Sequence, residues 1–219
     1  MLTYGGIGLH HFSLLKQRLF IQSHGEQVLV WPVLQCPCLL DDRQFSPVCT
    51  TCHGTGRFYP PDTAYGTMLL LVHETSQRDY NDPGTWTAGT IQATMLPGIR
   101  LAERDKVRRL DIKETFTDEV LTRGLDEQVR FTSGVDVTLL ADRQQVYVAG
   151  RDYTVSADGM VTWTATGMQP AFGEQYALKY LAYPEYLCSP DSPRARAEHR
   201  LPQAQVVTLH RLDRLSEDF

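Results

Sequence analysis

The chain has 219 residues, 42% hydrophobic and 21% charged, enough for one large or two small domains with a buried core. Its formal net charge of −5 builds in no general attraction to phosphate backbones, which disfavours nucleic-acid binding by the chain as a whole. No apolar run approaches the roughly 18 residues of a membrane-spanning helix. No charged-plus-apolar leader opens the chain, so a soluble protein with reduced cysteines is expected.

From the N-terminus, apolar residues at positions 12, 15 and 19 give the i, i+3, i+7 spacing of an amphipathic helix, which Gly25 should stop. Gln27-Val-Leu-Val-Trp31 then reads as a strand leading into a cysteine cluster, and Gly56-Arg-Phe-Tyr59 as the strand leaving it.

Between these strands lie Cys36-Pro37-Cys38 and Cys49-Thr50-Thr51-Cys52, four cysteines within seventeen residues. Two short pairs on tight turns can aim four sulfurs at one point, so Cys36, Cys38, Cys49 and Cys52 are the expected ligands of a structural Zn²⁺ ion. Gly54 and Gly56 supply the backbone freedom that the second turn needs. Two residues spaced by two on a strand would face opposite ways, so Pro37 must sit in a turn. A four-thiolate sphere is closed and leaves no position for an activated water. Disulfides would need an oxidising compartment, and a redox Cys-x-x-Cys belongs at a strand-to-helix junction, whereas an aromatic strand follows here. His53 is an alternative ligand in place of one cysteine, and Cys188 reads as a free thiol. The ten-residue loop Leu39–Val48 is too short for a recognition helix, so this is a loop staple rather than a base-reading finger.

Pro60-Pro61-Asp62 closes a first unit, residues 1–62, which is small enough that a metal staple makes physical sense. A β-domain over 63–186 follows, with strands expected at Thr67–His73, Gly89–Leu96, Lys106–Ile112, Val129–Phe131, Val135–Leu140, Gln145–Val148, Tyr153–Val155, Met160–Trp163 and Gln175–Leu181. Turn signals at Asn81–Gly84, Leu96–Gly98 and Ala157–Gly159 separate them, and Thr117–Arg123 reads as a short helix ending at Gly124. The fold class is mainly β: an antiparallel barrel or sandwich with a small N-terminal helix and zinc-knuckle unit. Residues 187–219 form an expected extended arm, with a last strand at Val206–Leu212. The basic patch Arg194, Arg196, His199 and Arg200 either contacts an acidic partner surface or forms a solvated loop.

No phosphate loop, nucleophile elbow, dinucleotide fingerprint or His-Glu-x-x-His pair is present, so no catalytic role is expected. The aromatic cluster Tyr147, Tyr153, Trp163, Tyr176, Tyr180, Tyr183 and Tyr186 lies in a region that is not basic, which favours core and interface packing over base stacking.

Two stretches carry a resemblance. Trp31-Pro32 with Cys-Pro-Cys and Cys-x-x-Cys-x-Gly-x-Gly resembles a zinc-knuckle element of tailed-bacteriophage structural proteins. Val146-Tyr-Val-Ala-Gly-Arg-Asp-Tyr-Thr-Val155 with Gly159–Trp163, Pro170, Gly173 and Tyr176–Tyr180 looks like a β-module of phage neck and baseplate proteins. The cysteine stretch is also similar to one unit of the DnaJ chaperone zinc region, but DnaJ uses several such units, which argues against a chaperone. The resemblance implies a virion structural protein at the head-to-tail junction, a neck, head-closure or connector subunit. Such a subunit forms a homo-oligomeric ring around the DNA channel, between portal or adaptor and tail-terminator proteins. A baseplate or tail protein and a zinc-ribbon nucleic-acid adaptor are the alternatives.

Overall fold

The computed structural model describes residues 14–38, 46–52, 54–73, 89–189, 197–198, 201–202 and 204–212. One helix, α1 (Leu14–His24), precedes β1 (Glu26–Trp31), β2 (Leu34–Gln35), β3 (Arg57–Phe58) and β4 (Tyr65–His73). Then come β5 (Thr90–Met95), β6 (Lys106–Arg109), β7 (Glu114–Thr122), β8 (Asp136–Ala141), β9 (Val146–Tyr147), β10 (Tyr153–Val155) and β11 (Val161–Trp163). The chain finishes with β12 (Gln175–Ala182), β13 (Glu185–Cys188), β14 (Ala197–Glu198), β15 (Leu201–Pro202) and β16 (Val206–Arg211). The fold is mainly β with antiparallel pairing throughout its sheets, and none of the described helices is long and apolar enough to cross a membrane.

Six strands close a barrel in the order β1-β4-β5-β16-β13-β6, with β6 returning to β1. Each strand turns alternate residues inward, as the period of a strand requires. Val28 and Val30 of β1, Val107 of β6, and Val207 and Leu209 of β16 are all fully buried in one apolar cluster. The barrel takes β1 from before residue 62 and β13 and β16 from after residue 184, so its hydrogen bonding crosses both boundaries drawn from the sequence. Cys188 is the inward residue that ends β13. It is a free thiol, as expected, but in a barrel core rather than an arm, and burial pushes it up to about 12.

A second unit is built on the sheet β7-β12-β8-β9 with the hairpin β10-β11. Its core is aromatic: Trp163 meets Tyr147 and Tyr176 edge-on at 4.8 and 5.2 Å, and Phe116 packs on Phe131 at 4.5 Å. Trp163 Nε1–H donates to Glu127 at 2.7 Å and Tyr180 O–H to Glu119 at 2.5 Å, so Trp163 and Tyr180 keep their polar ends satisfied. Of the seven clustered aromatics, Tyr183 alone is half-buried and the other six are core residues.

The register of the sheet leaves an apolar row on its outward face. Val120 of β7 lies opposite Ala177 of β12, which lies opposite Ala141 of β8, which lies opposite Val146 of β9. Leu139 opposes Lys179 on the same face, and Val120, Leu139 and Val146 are each about half exposed.

Two expected elements are corrected. Thr117–Arg123 is not a helix: Thr117–Thr122 belongs to β7 and Arg123 begins the turn after it. Its β-branched threonines and Val120 suit a strand, and β12 supplies seven paired positions and a bulge. Gly124, at φ 74°, occupies the turn after it, where a Cβ would run into the Phe172 ring. Val129–Phe131 is not a ladder strand. Val129 and Phe131 are core residues on a connection whose Gln128 makes one bridge to Met160. The Asn81–Gly84 turn and the Arg194, Arg196, His199 and Arg200 patch lie outside the described residues.

A buried ion-pair network joins the two units. Arg109, 2% exposed at the end of β6, donates to both carboxylate oxygens of Glu26 at 2.8 and 3.0 Å and to Glu114 at 2.7 Å. Arg211 of β16 pairs with the other oxygen of Glu114 at 2.9 Å, and Glu114 opens β7. Replacing Arg109 with Ala takes the cation from Glu26 and leaves Glu114 to Arg211 alone, and the expected loss is about 3 kcal/mol in urea unfolding. An unchanged midpoint would contradict this.

In the second unit, the buried Asp152 carboxylate accepts from Arg151 and from the N–H groups of Val148 and Met168, which holds it well below the ordinary carboxylate range. Because its folded pKa is depressed, its contribution is complete above about pH 4 and is lost as pH falls further. Asp152→Asn should flatten that acid-side decline, read by circular dichroism across pH.

Candidate metal centre

The cysteines sit on an excursion between β1 and β4, and its ends are pinned to the barrel. Directly after Trp31 and Pro32, Val33 N–H donates to Asp105 Oδ1 at 2.9 Å, while Ala102 N–H donates to Oδ2 at 2.7 Å. Asp105 is 5% exposed, and burial raises its carboxyl above the usual range against the pull of these two donors. On the return path, Tyr59 O–H donates to the Arg104 carbonyl at 3.0 Å. Lys106 and Arg108 both lie over the Trp31 ring at 4.7 Å and pair with Glu185. These cations are therefore committed to a ring and a carboxylate, and β1 leaves the barrel in a fixed direction.

Beyond these pins, β2 and β3 form a two-stranded ribbon with Leu34 opposite Phe58 and Gln35 opposite Arg57. Cys36 N–H donates to Gly56 O at 2.8 Å, which carries the first cysteine pair to the end of the ribbon beside the second. Thr55 closes the second turn onto the Cys52 carbonyl through both its N–H, at 2.9 Å, and its hydroxyl, at 2.6 Å. Gly54 and Gly56 have φ of 84° and 71°, left-handed values that glycine adopts without strain.

The four Sγ atoms of Cys36, Cys38, Cys49 and Cys52 all lie within 4.8 Å of one another. Cys36 and Cys49 approach to 3.7 Å and Cys38 and Cys52 to 3.4 Å. Sulfurs bound at roughly 2.3 Å to a tetrahedral ion would be roughly 3.8 Å apart, so the cluster needs little adjustment to hold one. All four are free thiols. Cys36 and Cys52 are buried and the other two are half-buried, so the site is at the surface but shielded.

The thiols are not equivalent. N–H groups of Cys52 and Thr51 draw Cys49 down to about 6, whereas burial and then the neighbouring Cys52 sulfur push Cys38 up to about 12. Four thiolates at these distances repel one another strongly, and a divalent cation among them removes that cost. The arrangement can hold a metal ion, and four sulfurs already complete a tetrahedral sphere.

The structure thus brings together all four cysteines that the spacing singles out. His53 lies outside the described residues. The second cysteine pair is followed by the β3 ribbon rather than a helix, unlike a redox strand-to-helix motif. Sequence reasoning did not find Asp105, the carboxylate that anchors the excursion. Its signal is weak, a buried acid 72 residues from the backbone group it holds. No protein-family model matches the chain, and no curated protein matches it.

Cys49→Ser should abolish stoichiometric metal binding, read by elemental analysis, and expose the 32–59 segment to protease while the barrel stays folded. Equal metal content and protease resistance would contradict the site. Metal retention should also fall as pH drops, because protons compete for the thiolates.

Proposed function

We propose that this chain is a zinc-stapled structural subunit of a tailed-phage particle, acting at the head-to-tail junction by contact with neighbouring subunits rather than by catalysis. The ion is assigned as zinc because four thiolates in tetrahedral arrangement suit Zn²⁺, a cation with no geometric demand of its own. The placement rests on the resemblance carried by the cysteine stretch and by Val146–Tyr180.

The observation that supports an assembly role best is the outward face of the β7-β12-β8-β9 sheet. Val120, Leu139 and Val146 stand half exposed on a surface whose opposite face is packed with aromatic rings. An apolar row on a rigid sheet suits a protein partner better than solvent. In this reading the copies form a ring around the DNA channel, between portal or adaptor and tail-terminator proteins, and the net charge of −5 lets DNA slide without sticking.

A tagged copy produced during phage growth should co-purify with intact particles, and a reconstruction of those particles should place it at the neck. Recovery only in particle-free fractions would overturn the reading.

A further inference from the structure

Among the described residues, Arg104 is the only one other than glycine with a positive φ, 64°. It is the third residue of the four-residue turn that Asp105 N–H closes onto the Ala102 carbonyl at 3.2 Å, where a positive φ ordinarily calls for glycine or asparagine. Another residue holds that conformation only where its surroundings over-determine it, and such residues gather at ligand clamps.

The turn is held from two directions. Against the barrel, Arg104 N–H donates to the Cys188 carbonyl at 2.8 Å, and Cys188 N–H donates to the Asp105 carbonyl at 2.9 Å. Toward the cysteine excursion, the turn grips both legs. Asp105 Oδ1 accepts from Val33 N–H, three residues before Cys36, and the Arg104 carbonyl accepts from the Tyr59 hydroxyl, three residues after Gly56. The Ala102 N–H on Oδ2 keeps the carboxylate from turning away. The ribbon between the legs has two residue pairs, and so short a two-stranded ribbon does not hold its own register.

We propose that the 102–105 turn is a clasp that sets the metal affinity of the four-cysteine centre, with Asp105 as its positioning residue. The proposal rests on the reading of the cysteines as a metal centre and names what preorganises it. Cys36 and Cys38 meet Cys49 and Cys52 only when the ribbon is in register, so apparent affinity falls in proportion to the population of that state. The coupling is reciprocal: a bound ion tightens the clasp by the same factor by which the clasp tightens the ion.

The test uses the full chain and zinc alone, with affinity read by competition against a chromophoric chelator. Asp105→Asn offers one carbonyl oxygen where two N–H groups need acceptors, and it should weaken zinc binding roughly tenfold or more. Tyr59→Phe deletes one hydroxyl and should weaken binding severalfold. Arg109→Ala acts at the joint to the second unit and should leave zinc affinity unchanged, which separates the clasp from a general loss of stability. On the wild-type chain, removing zinc should speed hydrogen exchange at Val33 N–H while Leu209, in the barrel core, stays protected.

Wild-type affinity in either folded variant, an equal fall in Arg109→Ala, or Val33 exchange that ignores zinc would overturn the clasp and leave the metal centre standing. A wild-type chain that takes up no zinc would overturn both.

Discussion

A small barrel closes only if every strand finds partners on both edges, and β1 meets that condition with β4 on one side and β6 on the other. The connection from β1 to β4 must therefore leave the barrel at Trp31 and return at Tyr65 with its ends in neighbouring strands. That stretch has a two-stranded ribbon, and among its described residues Leu34 is 46% exposed and Val48 84%. Apolar side chains left outside a core do not order a segment, which calls for other contacts. Four convergent sulfurs supply them from within, while Asp105, Tyr59 and the cations over Trp31 fix its base.

Closure also explains the buried charges. Arg109 faces inward at the end of β6, where the barrel meets the second unit, and a guanidinium there is tolerable only with its donors satisfied. Glu26, Glu114 and, through Glu114, Arg211 provide that, drawing on two barrel strands and on the first residue of β7. The network is thus a joint as well as a neutralisation. It gives the four-stranded sheet a defined base on the barrel.

Much of this was legible in the sequence. The cysteine spacing singled out the four sulfurs that the fold brings together, because the constraint is local. Most strands were found within a residue or two, since alternation and turn residues act at short range. Thr117–Arg123 misled because a threonine start and a glycine end mimic helix caps, while the β12 pairing that decides the matter lies more than fifty residues away. An antiparallel barrel was among the expected architectures, but which strands close it was not legible, for the same reason. Nothing in β1 announces that β4 and β6 will flank it, and β13, four residues between Pro184 and Ser189, carried no strand signal of its own. Leu15 and Leu19 were read correctly as one face, but periodicity does not say whether a face turns toward a core or, as these two do, outward.

In the proposed reading, one zinc ion held by four sulfurs orders the excursion that the barrel projects. X-ray absorption at the zinc edge on the purified chain reads this most directly. The expected result is one zinc per chain with four sulfur scatterers at roughly 2.3 Å and no light-atom shell at bonding distance. A first shell containing nitrogen or oxygen, or protein that folds the excursion with no metal bound, would contradict it.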